Sequence, residues 1–514
     1  MSLVRKNETV RRGVGLLLAF LLLLPLFVSC SSVSPEAEPA QSAPPTDDAE
    51  LPPEIAEEPA ETTITDTIRE QYKDIDYAGQ SFRLAGYGPG EFFYFVVGTE
   101  MNEIWYESMT GDLYTDAVYQ RNSVTEDLLN IRIEPEFTSA GRSYDAVSKL
   151  IEACVVSGDA SVEAGYGSLA YNITSAGRGN MHNFYLIDNI DLSSPWFDQN
   201  IVKNYSLHGN KLYALTGAYG IYDDYSVPVI YYNKDILSRN SMDDPAELVM
   251  EGKWTFDTMK AMMEVACTDL DGDGKITEED IYGYLDNADI LPHLMEATGN
   301  LQTKIDSEGV PYVNCLTGEY IEVAETVYNT FITNPTVYYA GSVTTLFRDG
   351  HALFAYELLA TINSLRDMET LFSLLPLPKL NEQQEKYVNP VNSVWCTAFC
   401  VPVTITGEDL GRVGMIINVL SALSEDTVTT VLYDQILGVK LIREENTLVM
   451  LDYSINNKQY CWANGYYEWN GPIASYLGSY AAKGSFDLAS TAQKFSKTIQ
   501  KAIDRFLEQF EQLP

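Results

Sequence analysis

The residues best spaced to do chemistry lie in the run DLDGDGKITEED, residues 269–280. Asp269, Asp271 and Asp273 place three carboxylates at alternate positions, where they can converge on one hard cation. Gly274 permits the sharp turn at the sixth place, Lys275 offers its backbone carbonyl at the seventh, and Ile276 is the apolar eighth. Asp280 takes the twelfth place, where the longer Glu would reach a cation with both oxygens; Glu279 is an alternative ligand there. The pattern predicts a structural calcium site of the weak extracellular kind, with dissociation constants of about 10⁻⁴–10⁻³ M. The alternative is an acidic turn that binds nothing. Other chemistry is missing from the sequence. His182, His208, His293 and His351 are the only histidines, and no two have metal-ligand spacing. There is no zinc-protease helix motif, no nucleophile elbow and no P-loop. Gly86-Tyr87-Gly88-Pro89-Gly90 reads as a turn or cleft-lining loop, because Pro89 and the lack of a helix start spoil a phosphate cradle.

Cys30 carries a different chemistry. Arg5, Lys6, Arg11 and Arg12 precede an apolar run that ends LLLLPLFVSC at residue 30. A basic stretch, an apolar stretch and a small residue before the cut are the layout of a secretory signal. With a cysteine at the cut, the segment resembles a bacterial lipobox, in which the thiol is diacylated and becomes the mature N-terminus; Phe27 stands where Leu is usual. Residues 1–29 are therefore expected to be a signal peptide. Residues 30–75 are expected to be an acidic, Pro-rich tether. Such a segment buries too little apolar surface to offset its ordering entropy, and its like charges keep it extended. No later stretch reads as long and apolar enough to span a bilayer.

The chain carries a net charge of −40, and residues 1–29 are net positive, so the mature chain is more acidic still. A field of that sign excludes nucleic acid as a partner, since phosphate backbones need a cationic surface. After the tether about 440 residues remain, too many for a typical single core and suited to two lobes. Six cysteines other than Cys30 are widely spaced. They read as buried free thiols, and without a CxxC they do not suggest structural zinc.

Elements of both periods alternate along the chain. Residues 81–85 read as a strand, 114–130 as a helix with Ala117, Val118, Val124, Leu128 and Leu129 on one face, 131–133 as a strand and 145–156 as a helix. This alternation predicts an α/β lobe. Residues 225–235 contain a strong β run. A helix is expected from Trp254-Thr255-Phe256-Asp257, with Thr255 as N-cap and Met259, Met262, Met263 and Ala266 as its apolar stripe. Phe495, Ile499, Ile503, Phe506 and Phe510 make the C-terminal helix amphipathic.

The order of these segments resembles extracellular solute-binding proteins of family 1, the carbohydrate-type receptors of bacterial ABC importers. The matching stretches are residues 116–122 (DAVYQRN), 191–196 (DLSSPW), 230–235 (IYYNKD) with 254–257 (WTFD), 347–350 (FRDG) and 375–379 (LPLPK). Ser161-Val162-Glu163-Ala164 departs from the pattern, because relatives place a Tyr-Asp pair ahead of that strand. The resemblance implies an α/β, two-lobed periplasmic-binding-protein-like fold of type II. Its lobes are joined by strands crossing near 226–230 and 393–403, with the ligand cleft between them. The first lobe would hold 76–226 and 396–460, and the second 227–395 and 461–514. The implied function is capture of a sugar or oligosaccharide by a lipid-anchored monomer that closes by hinge bending and delivers to permease subunits. Sugar recognition needs flat apolar faces together with polar groups. Trp196, Tyr225, Trp395 and Trp462 are the candidate stacking residues, with Asp198, Asn200 and Glu468 as weaker hydroxyl binders. No catalytic residue is assigned. The competing functions are a surface glycan hydrolase and a calcium-stabilised adhesion protein.

Overall fold

In the computed structural model the described residues are 63–92, 101–138, 143–286, 291–339, 341–437, 445–465 and 487–513. They belong to one unit, Glu61–Pro514. Cys30, the signal segment and Glu468 lie outside them. The tether ends earlier than expected. Ile64–Tyr72 is a helix, N-capped by Thr63 in a reciprocal box with Asp66, and it buries Ile68. A capped turn with one anchoring apolar residue is enough to fold this end of an otherwise polar segment.

The first sheet begins with β1 (Gln80–Tyr87), which buries Phe82 and Leu84. It pairs in parallel with β2 (Ile131–Thr138), from Gln80↔Ile131 to Tyr87↔Thr138. On its other side it pairs in parallel with β3 (Ala164–Ser168). Helix Leu113–Leu129 connects β1 to β2, and helix Ala146–Ser157 connects β2 to β3. Gly167 lets the second helix press on the sheet, since a Cβ there would lie 2.6 Å from Cβ of Val147. The atypical Glu163 turns out to be buried. Its carboxylate accepts from the Arg83 N–H and pairs with Arg412, joining the approach to β3 to helix Glu408–Glu425.

The chain then crosses to a second sheet through the short helix Tyr222–Tyr225. The β run expected within residues 225–235 is β4 (Pro228–Asn233). The sheet is completed by β5 (Tyr282–Asp286), β8 (Val337–Tyr339), β9 (Ala352–Leu358) and β10 (Phe372–Leu375), in the order β10-β4-β9-β5-β8. A small hairpin, β6 (Thr303–Ile305) with β7 (Pro311–Val313), lies outside it. Helix Phe256–Ala266 packs under the sheet, with Thr255 as its N-cap and Met259, Met263 and Ala266 buried. The chain returns through β11 (Asn389–Pro390) to β12 (Thr397–Cys400), which joins the first sheet antiparallel to β3. A third crossing follows at β13 (Lys458–Gln459), paired in parallel with β11.

The expected division of the last hundred residues is corrected. Helix Glu445–Ile455, assigned to the first lobe within 396–460, lies on β10 of the second sheet, where Thr447 and Ser373 share a hydrogen bond of 2.9 Å. The C-terminal helix Leu488–Glu511, assigned to the second lobe, packs on β7 and helix Gly318–Val327 of that lobe and reaches the first lobe as well. Helix Leu488–Glu511 places Phe510 5.0 Å from the Tyr213 ring, and Lys211 donates to the Phe510 carbonyl at 2.8 Å. Its apolar stripe required cover, and both lobes supply it. One stretch, Glu408–Tyr433, does prove long and apolar enough to cross a membrane, against expectation. It is mostly buried and packs on helices Ile64–Tyr72 and Leu113–Leu129, as a core element would. The six cysteines are free, and all but Cys267 are buried.

Candidate ligand site at the crossings

Strands β1, β2 and β3 run parallel, so Tyr87, Thr138 and Ser168 mark one carboxyl edge of the first sheet. β12 begins at that edge, with Thr397 opposite Ser168. In the second sheet β5 and β9 are parallel, and β4 starts at the carboxyl end of β9, with Pro228 opposite Leu358. The crossings therefore join the carboxyl edges of both sheets, which is where open α/β sheets bind ligands.

An aromatic group gathers at the first-lobe edge. Tyr87 stacks on Phe92 (centroids 4.4 Å, 17°), and Trp395 stands edge-on to Tyr144 (4.4 Å) and Phe92 (5.5 Å). Tyr222 closes the group from the crossing, 5.3 Å from Phe92. The Tyr87 hydroxyl fixes the arrangement by donating to the Tyr144 carbonyl and accepting from the Ser168 N–H. Tyr87, Tyr144 and Trp395 are half-buried, whereas Phe92 and Tyr222 are buried. Partly exposed aromatic faces beside fixed polar groups can stack on the apolar face of a pyranose.

Behind the aromatics sits Glu103. Its carboxylate accepts from the Ile221 and Tyr222 N–H groups at 2.8 and 2.9 Å and from the Thr397 hydroxyl at 2.8 Å. One side chain thereby ties the first crossing to the start of β12. Burial pushes the carboxyl up to about 7, against the pull of these donors and of Arg121. The DAVYQRN stretch explains how Glu103 is held. Arg121, itself buried, donates to the carbonyls of Glu103 and Tyr219 at 2.9 and 2.7 Å and lies 4.0 Å over the Tyr219 ring. Asn122 donates to the Ile104 carbonyl at 2.8 Å.

The four stacking candidates separate. Trp395 is in the aromatic group. Trp196 is half-buried but points away, donating from Nε1 to Asn418 of helix Glu408–Glu425 at 3.0 Å. Tyr225 and Trp462 are corrected from ligand-facing to core. Tyr225 is fully buried, and Trp462 stacks on Tyr205 at 4.6 Å with Phe506 edge-on at 5.2 Å. Packing claimed both rings. Asp198 is engaged as well, capping helix Gln199–Tyr205 through the Asn200 N–H and accepting from Tyr460 at 2.8 Å. Tyr87, Phe92, Tyr144, Tyr222 and Glu103 were missed. The signal available for Tyr87 was the glycine-rich loop directly after the first strand.

In the acidic loop, oxygens of Asp269, Asp271 and Asp273 lie within 4.8 Å of one another. The loop's own N–H groups order them: Gly272 and Gly274 donate to Asp269, Asp273 to Asp271 and Lys275 to Asp273. Asp280, expected at the twelfth place, is outside that group. Its two oxygens accept from the Leu270 and Thr277 N–H groups at 2.8 and 2.7 Å. The shorter side chain closes the loop on itself, and these bonds hold its carboxyl below the usual carboxylate range.

No protein-family model matches the chain, and no curated protein does. Solved structures do. A cyclo/maltodextrin-binding protein complexed with maltotetraose superposes with a TM-score of 0.57 at 12% identity, covering 83% of this chain and 97% of its own. The substrate-binding protein Lmo0181 of Listeria monocytogenes, in complex with cycloalternan, gives 0.54 at 11%, with 83% and 99% covered. UgpB of Mycobacterium tuberculosis, in complex with glycerophosphocholine, gives 0.52 at 15%, with 76% and 95% covered. At these identities the likeness is one of fold, and the chain has the two-lobed α/β fold of the substrate-binding proteins of ABC importers.

Proposed function

We propose that this chain is an extracellular receptor that captures a sugar or oligosaccharide between its lobes and delivers it to an ABC permease by hinge closure. The observation that carries the reading is the aromatic group of Tyr87, Tyr144 and Trp395 at the carboxyl edge of the first sheet, beside the crossings. The bound ligands named for the cyclo/maltodextrin-binding protein and Lmo0181 support a glycan over other solutes. Diacylation at Cys30 would hold the receptor at the outer membrane face, near the permease. Calcium in the 269–280 loop would brace the second lobe, with Asp269, Asp271 and Asp273 as carboxylate ligands and Lys275 contributing its carbonyl. No residue is assigned a catalytic role.

Thermal denaturation against a ligand panel tests the reading. A specific glycan at 100 times its dissociation constant stabilises the fold by about 2.7 kcal/mol. The panel holds malto-oligosaccharides, cyclic glucans, glycerophosphocholine, a peptide and a polyamine. A transition that moves only with the last three overturns the sugar assignment.

A further inference from the structure

We propose that Lys458 pins the pivot between the lobes: one buried ammonium, placed on the third crossing, holds a carboxylate of the first lobe and two carboxylates of the first crossing, and so fixes the angle at which the lobes stand. The distances are 3.0 Å to Asp198, 2.8 Å to Asp223 and 2.8 Å to Asp224. Exposure of these side chains is 7% for Lys458, 7% for Asp198, 3% for Asp223 and 15% for Asp224.

The anchors of this cluster come from different bodies. Lys458 pairs through its backbone with Asn389 of β11. The Asn389 side chain in turn holds the Leu377 N–H and the Tyr453 and Ser454 carbonyls, all on the second-lobe side. Asp198 caps helix Gln199–Tyr205 of the first lobe. Asp223 and Asp224 lie on the helix that leads into β4, whose first N–H groups Glu103 holds from the other end. The four-residue helix is thus gripped at both ends, and it carries Tyr222 into the aromatic group. A change in its tilt would move the ligand platform and the crossing together.

Charge balance argues for geometry over stability. One cation faces three carboxylates in a dry site, and desolvating such a set cancels much of its attraction. What an ion cluster of this kind supplies is a defined separation between its bearers. Burial and its neighbours Asp224 and Asp198 also push Asp223 up to about 8, against the pull of Lys458. Asp223 is faced by Lys458 on β13, Asp224 on its own helix, Asp198 from the first lobe, Tyr460 beyond β13, Cys396 ahead of β12 and Tyr166 on β3. Its Oδ1 has no hydrogen-bond partner among the described residues.

The inference rests on the two-lobed fold and not on the class of ligand, so the test uses ligand-free protein. Spin labels at Val156→Cys and Val265→Cys, on exposed helix positions of the first and second lobes, report the distance between lobes in the full chain with Cys30 and Cys267 replaced by Ser. Lys458→Met alone would strand three carboxylates. The variants are therefore Asp224→Asn and the combination of Lys458→Met, Asp223→Asn and Asp224→Asn. Both are expected to broaden or shift the distance distribution. A distribution unchanged in either folded variant overturns the proposal. Neither result would touch the sugar assignment, which the ligand panel decides separately.

Discussion

Replacing Glu103 by Gln removes a charge while keeping the shape that bridges the first crossing and β12. The amide oxygen can still accept from the Ile221 and Tyr222 N–H groups, and the Thr397 hydroxyl can turn to accept from the new NH₂ group. What changes is the response to pH. The Glu103 carboxyl, ordinarily at 4.5, sits at about 7 in the folded chain because burial disfavours its charge. The folded state therefore takes up the proton first as pH falls. The stabilisation is complete below 4.5 and is lost as pH rises through about 7. One pH unit within that window is worth about 1.4 kcal/mol per proton. Between pH 8 and pH 5 the native chain should gain about 2.5 kcal/mol relative to Glu103→Gln through this group. Urea denaturation of both proteins at unit pH steps measures the difference directly, with the slope against urea held equal as the check on the denatured state. Parallel pH profiles would refute the argument, and a gap that widens toward alkaline pH would reverse its sign.

Three further outcomes follow from other contacts. Trp395→Ala should weaken the captured glycan about tenfold or more, roughly 1.4 kcal/mol by calorimetry, while Trp462→Ala should lower the melting temperature by cavity formation and the release of Phe506. Arg412→Ala leaves Glu163 buried without its cation and should cost about 3–5 kcal/mol by chemical denaturation, with Arg412→Ala/Glu163→Gln recovering part of the loss. Calcium at ten times its dissociation constant should raise stability by about 1.4 kcal/mol, reversibly with EDTA; Asp273→Asn should abolish the response, and a native chain indifferent to both additions would remove the metal site.

The elements were legible because their signals are local. The apolar spacing of Ala117 and Val118, the cap at Thr255 and the Asp-Gly alternation at 269–274 each act within a few residues, and each appears where expected. The DAVYQRN stretch was legible as a marker of fold but not as a mechanism, since Arg121 works on the carbonyls of Glu103 and Tyr219, the latter 98 residues distant. The aromatic candidates were where local reasoning failed. A Trp at a crossing looks the same whether it lines a cleft or fills a core, and only packing separated Trp395 from Trp462.

The sequence by itself determined the alternation of strands and helices and the chain's acidic character, which depend on periodicity and composition along the chain; the two-lobed order of segments was legible through its resemblance to a known family. The tertiary structure decided which lobe received helix Glu445–Ile455, that the C-terminal helix touches both, which aromatic rings stand at the carboxyl edge, and that Lys458 meets Asp198, Asp223 and Asp224. Those outcomes depend on surfaces and charges far apart in sequence, from the 57 residues between Tyr87 and Tyr144 to the 235 between Asp223 and Lys458. They must be covered or paired when the chain closes on itself, and no local pattern encodes which partner will be nearest.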